Sequence, residues 1–367
     1  MFVTTVLTPI GFGNNINELN EKETLVNDDE MSHFLDEPIN SSWSMYYHDI
    51  HYTDILNILP NADAEIKNLF FKSLINRNVK IWNEQDINQI NVTYESGNYT
   101  LYGEIYYPKD MSKVYPAIIF CEGNGGYISA YNWIPMALAR EGYVAMIFDF
   151  PGQGKSEGLN PIQGISFPVL NIYLRFGHFL YARIHYKSGD FFKAATDSLD
   201  YLLEKSPVNQ IINKTKIGLI GHSLGGVIVT EVASKDKRID AVIALSHGEP
   251  SIIANITIPI QFQLGSFDLT SSIPTILSCY HKANSPKELI SISGGTHFGF
   301  TTVFSSLCPC PPWQKPICLT YALGWFDYFL KNKTGSYETI TRGTNHLSKI
   351  IHSRYNFGDQ DHILKYE

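Results

Sequence analysis

A short apolar run, Ile217–Ile220, ends in Gly221-His222-Ser223-Leu224-Gly225, and the residues that follow, Val227–Ser234, carry apolar side chains at helical spacing. A strand that breaks into G-x-S-x-G and resumes as a helix has few conformations open to it. The turn is tight enough to strain the serine backbone, and its flanking positions are glycine because a Cβ there would collide with the adjoining strand or helix. Such a turn lifts the Ser223 hydroxyl clear of the strand end. It also sets it at a helix N-terminus, whose dipole favours developing negative charge. The plainer alternative is a glycine-rich strand–helix turn with an idle serine.

A serine hydroxyl is a poor nucleophile without a base in reach, so the choice depends on the histidines. Of the 12 present, His297 lies in Gly294-Gly295-Thr296-His297-Phe298-Gly299, just past a strand end, on a loop able to lay an imidazole over Ser223. His247, in Ser246-His247-Gly248-Glu249-Pro250, is the rival, and His222 points away if Ser223 points out. A third group must orient the imidazole and stabilise its protonated form. Asp268, in Leu264-Gly265-Ser266-Phe267-Asp268, ends the strand before the one that leads to His297, and Glu249 is the runner-up acid. The chain order is then Ser, Asp, His, with Asp268 45 positions after Ser223 and His297 29 positions after Asp268.

The surrounding pattern supplies a fold class. Asn91–Tyr94 and Tyr99–Tyr107 read as strands about a turn at Ser96-Gly97-Asn98, and Ala117–Cys121, Val144–Phe148, Ala241–Leu245, Ile260–Leu264 and Leu289–Ile292 read as further strands. Helices are expected at Ile134–Leu138, stopped by Gly142, over Phe192–Leu203, and at Cys318–Leu330 as the closing element. Strands alternating with helices imply an α/β fold, a mostly parallel central sheet flanked by helices and buried on both faces. Chemistry in such sheets gathers at the carboxyl ends of the strands. Residues 1–88 read as an N-terminal extension with a polar lead-in, Asn14–Glu30, and a helix near Ala64–Ile75. Residues 89–334 form the catalytic unit and 335–367 a C-terminal tail.

Four motifs stand in order along 89–334: Glu122-Gly123-Asn124-Gly125-Gly126, Asp149–Gly158 (DFPGQGKSEG), Gly221–Gly226 (GHSLGG), and the loops that carry Asp268 and His297. Together they resemble the α/β-hydrolase superfamily over some two thirds of the chain, and the nucleophile–acid–histidine spacing looks most like its dienelactone-hydrolase and cutinase-like branches. The resemblance implies a cofactor-independent serine hydrolase that cleaves carboxylic esters through an acyl-enzyme, with Ser223, Asp268 and His297 catalytic. It implies an oxyanion hole from two backbone N–H groups, Leu224 and one from the loop after Cys121, either Asn124 or Gly125. The common His-Gly pair is Glu122-Gly123 here. In the family, D-x-x-G-x-G-x-S-x-G shapes the mouth of the site. It is not a nucleotide loop, because the first glycine of G-x-x-x-x-G-K-[ST] is Asp149.

Phe298, Phe300 and Gly125 are candidate substrate contacts. The aromatic stretch 165–192, in the position of a lid insertion (159–190), is either such a lid or core filling. Either feature would suit a small-molecule ester apolar on one side. A peptidase, amidase or thioesterase of the same fold is the enzymatic alternative, and a silent binding protein the non-enzymatic one.

Composition sets the outer limits. Net charge is −8 and the pI near 5.8, which argues against a nucleic-acid partner. No apolar run reaches the roughly 18 residues of a membrane span. Cys308, Cys310 and Cys318 crowd a Pro-rich loop, to be read as a disulfide, free thiols or, least well, a metal site, while Cys121 and Cys279 read as small buried side chains. That loop and the sequons at Asn40, Asn91, Asn98, Asn213, Asn255 and Asn332 incline the reading to an extracytoplasmic location. No metal is expected at the site.

Overall fold

The computed structural model describes residues 49–51, 80–82, 87–158, 186–271, 273–302, 311, 314–342, 351–356 and 362–365. Twelve strands occur among them. β1 (Asp49–His51) and β2 (Lys80–Trp82) pair with each other in parallel, apart from the main sheet. The main sheet holds β3 (Ile87–Ser96), β4 (Tyr99–Pro108), β5 (Tyr115–Cys121), β6 (Val144–Phe148), β7 (Ile212–His222), β8 (Ala241–Leu245), β9 (Ile260–Gly265), β10 (Lys287–Ile292), β11 (Ile351–Asn356) and β12 (His362–Lys365). Their order is β12-β11-β10-β9-β8-β7-β5-β6-β4-β3. The six strands from β10 to β6 run parallel, and β3–β4 and β11–β12 are antiparallel additions at the two edges.

The helices are α1 (Trp133–Arg140), α2 (Asp190–Asp200, continued by a π turn over Tyr201–Lys205), α3 (Leu224–Lys235), α4 (Ile273–Lys282), α5 (Gln314–Phe329) and α6 (Ser336–Arg342). They divide between the two faces as period-two side-chain alternation requires. In β5, Ala117, Ile119 and Cys121 join the apolar cluster under α2, α3 and α4, with Phe191, Leu199, Val229 and Ile276. Ile118 and Phe120 join the opposite cluster, with Leu138 of α1 and Tyr321, Trp325 and Phe326 of α5. All five are fully buried, which is why this strand reads as an unbroken apolar run rather than an alternating one.

One expectation needs correcting. β11 pairs with β10 along its full length and carries β12, so part of the supposed C-terminal tail extends the sheet. Of the readings of the Cys-rich loop, Cys318 stands as a free, buried thiol in α5. Cys308, Cys310, the helix near Ala64–Ile75 and most of the 159–190 stretch lie outside the described residues. Of the aromatics in 165–192, Phe191 is core, Phe192 packs against it and Tyr186 is exposed.

Register places the site. Cys121 is level with Gly221 and with Phe148, His222 with Leu245, Leu245 with Gln263, and Gly265 with Ile292. The loops leaving β5, β6, β7, β8, β9 and β10 therefore open on one edge of the sheet, and every motif read from the sequence lies on one of them.

Candidate active site

Ser223 occupies the single residue between β7 and α3, with φ 55° and ψ −114°. A non-glycine residue held there stores strain of about 1–3 kcal/mol, which the surroundings must sustain. They do so through the Ser223 amide, which donates to the Leu245 carbonyl at 2.9 Å and ties the turn to the end of β8. The glycines on either side are steric necessities. A Cβ on Gly221 would lie 2.3 Å from the Gly225 carbonyl oxygen, and one on Gly225 only 2.1 Å from that of Cys121.

The structure brings the three sequence candidates together. His297 Nε2 lies 3.0 Å from Ser223 Oγ, and His297 Nδ1 lies 2.9 Å from Asp268 Oδ2. The Asp268 side chain is wholly buried and the His297 side chain 6% exposed. The other Asp268 oxygen, Oδ1, accepts the amides of Thr270 at 3.0 Å and Ser271 at 2.8 Å. Burial pushes this carboxyl upward, but the hydrogen bond and charge of His297 and the Ser271 amide outweigh it and hold Asp268 below the usual carboxylate range. The group is thus ionised where it faces the imidazole. Ser271 Oγ also approaches His297 Nδ1, at 3.2 Å. Ser271 went unread in the sequence; its one signal is an Asx-type turn begun by Asp268.

The rivals stand elsewhere. His247 Nδ1 takes the Gly248 amide at 2.9 Å, and Glu249 closes a local turn on Ser251. His222 is buried behind the serine, with Nδ1 2.9 Å from the Tyr131 hydroxyl and its ring centroid 4.7 Å from that of His297. Burial, then the neighbouring His297, holds it well below the ordinary histidine range, so it is neutral.

Leu224 begins α3, so its N–H is one of those a helix leaves without an internal acceptor. The loop after β5 lies against the nucleophile: a Cβ on Gly123 would sit 3.4 Å from Ser223 Cβ. Gly125 does not offer its amide as the oxyanion donor. Its amide donates to Gln153 Oε1, and that of Gly126 donates to the Gly123 carbonyl at 2.9 Å. Asn124 stands between them. The two phenylalanines also part. Phe298 is half-buried, edge-on to His297 at 5.4 Å, whereas Phe300 is fully buried and packs on His222 at 5.5 Å, as core rather than as a wall of the mouth.

The His297 loop is clamped from α5. Gln314, completely buried, accepts the Thr296 amide at 2.9 Å and donates to the Thr296 carbonyl at 2.8 Å. Sequence reasoning missed this residue because a glutamine 18 positions away carries no local sign of its partner. Gln314→Leu keeps the volume and removes both bonds. The expected result is a loss of about 2–3 kcal/mol in urea unfolding, two buried backbone groups being left unpaired, with faster deuterium uptake at the Thr296 amide.

Residues 116–267 match the family model described as alpha/beta hydrolase fold. The chain has the α/β-hydrolase fold. It is similar to the platelet-activating factor acetylhydrolases of Canis lupus familiaris (26% identical over 231 residues, 53% of this chain and 51% of that protein) and Cavia porcellus (22% over 230 residues, 54% and 52%). It is also similar to Lipase 1 of Moraxella sp. strain TA144 (19% over 163 residues, 44% and 48%). The chain spans about half the length of these curated relatives. They bear on the superfamily and not on the finer likeness to dienelactone hydrolases and cutinases. Among the described residues no cluster of three or more His, Cys, Asp or Glu is arranged to hold a metal ion, and no helix is long and apolar enough to cross a membrane.

Proposed function

We propose that this chain is a serine hydrolase that cleaves carboxylic esters through an acyl-enzyme. The observation that carries the reading is the unbroken relay Ser223 Oγ–His297 Nε2, His297 Nδ1–Asp268 Oδ2, at 3.0 and 2.9 Å on a strained strand–helix turn. Ser223 attacks the ester carbonyl while His297 Nε2 takes its proton. The oxyanion of the tetrahedral intermediate faces the amides of Leu224, at the start of α3, and Asn124, in the loop after β5. The alkoxide leaves with the proton from His297, and a water activated by the same nitrogen then releases the acid and restores Ser223. Asp268 stays ionised throughout and stabilises the imidazolium. The relatives, named as acetylhydrolases and a lipase, support an ester as the substrate, and Phe298 beside His297 supports one with an apolar acyl side.

A fluorophosphonate probe should label the wild-type protein, and p-nitrophenyl esters of graded chain length should turn over faster than aminoacyl anilides. Faster turnover of the anilides would replace the esterase reading with a peptidase. A wild-type protein that neither takes the probe nor hydrolyses any ester would overturn the reading outright.

A further inference from the structure

Behind the oxyanion loop lies a polar assembly that the triad does not use. Glu122, fully buried at the end of β5, accepts the Phe150 amide at 3.1 Å and the Gln153 carboxamide N–H at 2.7 Å, both on Oε1. Gln153 Nε2 also donates to the Gly123 carbonyl at 3.2 Å, and Gln153 Oε1 accepts the Gly125 amide. Asp149 Oδ1 accepts the Ile128 amide at 2.9 Å and its Oδ2 the Lys155 amide at 2.8 Å. The loop after β5 and the loop after β6 are therefore laced together through side chains of both. Burial, then the charge of Asp149, drives the Glu122 carboxyl well above its usual range.

We propose that Gln153 is the positioning residue of the oxyanion hole: its one carboxamide fixes the two peptide planes on either side of Asn124. The reasoning is geometric. A trans peptide points its C=O and N–H in opposite directions. The Gly123 carbonyl and the Asn124 N–H belong to one plane, so holding the carbonyl on Gln153 aims the Asn124 N–H the other way. The Gly125 N–H and the Asn124 carbonyl belong to the next plane, and Gln153 holds that one by its N–H. A backbone donor cannot itself be replaced by mutation, so its direction is set by whatever grips the flanking planes. Here a single side chain, 2% exposed and itself anchored on a buried Glu122, grips both. Glu122 stands where the family commonly has histidine, and this anchoring gives the exchange a purpose.

The inference rests on the esterase reading, and its test separates the two. Gln153→Met keeps length and removes every hydrogen bond. It should lower kcat/KM about ten- to hundredfold, the scale of a displacement near 1 Å, with KM nearly unchanged. Affinity for a trifluoromethyl ketone, whose adduct places an oxyanion in the hole, should fall by the same factor. Gln153→Glu should recover relative to Gln153→Met as pH falls, because only a protonated carboxyl can both donate to the Gly123 carbonyl and accept from the Gly125 amide; taking the ratio of the two variants cancels the titration of His297. Wild-type kcat/KM and ketone affinity in Gln153→Met overturn the inference. Should that variant not fold, Gln153→Glu decides, and wild-type kcat/KM at alkaline pH would overturn it equally. Turnover that persists in Ser223→Ala overturns the underlying reading instead.

Discussion

Ser223→Ala lowers kcat/KM for p-nitrophenyl acetate by about 10⁴-fold or more, and His297→Ala does the same. The double variant is no worse than either alone, because nucleophile and base act in one step and removing either removes the step. A double variant whose loss approached the product of the two single losses would show two independent groups and end the acyl-enzyme account. Ser223→Gly separates chemistry from strain. It is equally inactive, but glycine tolerates a φ of 55°, so its unfolding free energy rises by about 1–2 kcal/mol. Inactivity with gained stability identifies a residue kept for its hydroxyl against the interest of the fold. A drop in stability on Ser223→Gly would mean that the strand–helix turn at Ser223 is not strained.

What the sequence makes legible follows from the range of the interactions involved. Ser223, His297 and Asp268 each follow closely on the end of a strand, and their loops carry glycines that backbone geometry demands, so local pattern and chain order were enough to choose them. The buried strands were equally open to reading, because Ala117–Cys121 and Ala241–Leu245 are apolar on both faces. α4 went unread although Ile276, Cys279 and Tyr280 follow helical spacing, since the run is short and starts beside Pro274. β11 could not be seen because what makes it a strand is the antiparallel edge of β10, more than 50 residues earlier. Gln153 and Gln314 were hidden for a related reason. Each meets backbone groups, and a backbone group leaves no trace in the identity of the residue that bears it.

Gly225→Ala is expected to cost more stability than any other single methyl added to this chain's glycines near the site. Its Cβ would fall 2.1 Å from the Cys121 carbonyl oxygen, 2.6 Å from that residue's carbonyl carbon and 2.6 Å from the Glu122 carbonyl oxygen. All three are backbone atoms, so no rotamer change can make room. Relief requires α3 to withdraw from the end of β5, where Cys121 is bonded into register with both β6 and β7. A domain is stable by only about 5–15 kcal/mol in total, and overpacking against rigid backbone costs several of them. Urea unfolding should show a loss of at least about 4 kcal/mol, or soluble protein should fail to accumulate. Gly335→Ala is the control: nothing lies within 4 Å of its Cβ position, and the change should stay within about 0.5 kcal/mol. Any folded Gly225→Ala protein should also lose fluorophosphonate labelling, since the Glu122–Gly126 loop lining the nucleophile continues directly from the carbonyls being displaced. Wild-type stability in this variant would mean that β5 and α3 do not meet as closely as the nucleophile turn requires, and the proposed oxyanion hole between them would lose its frame.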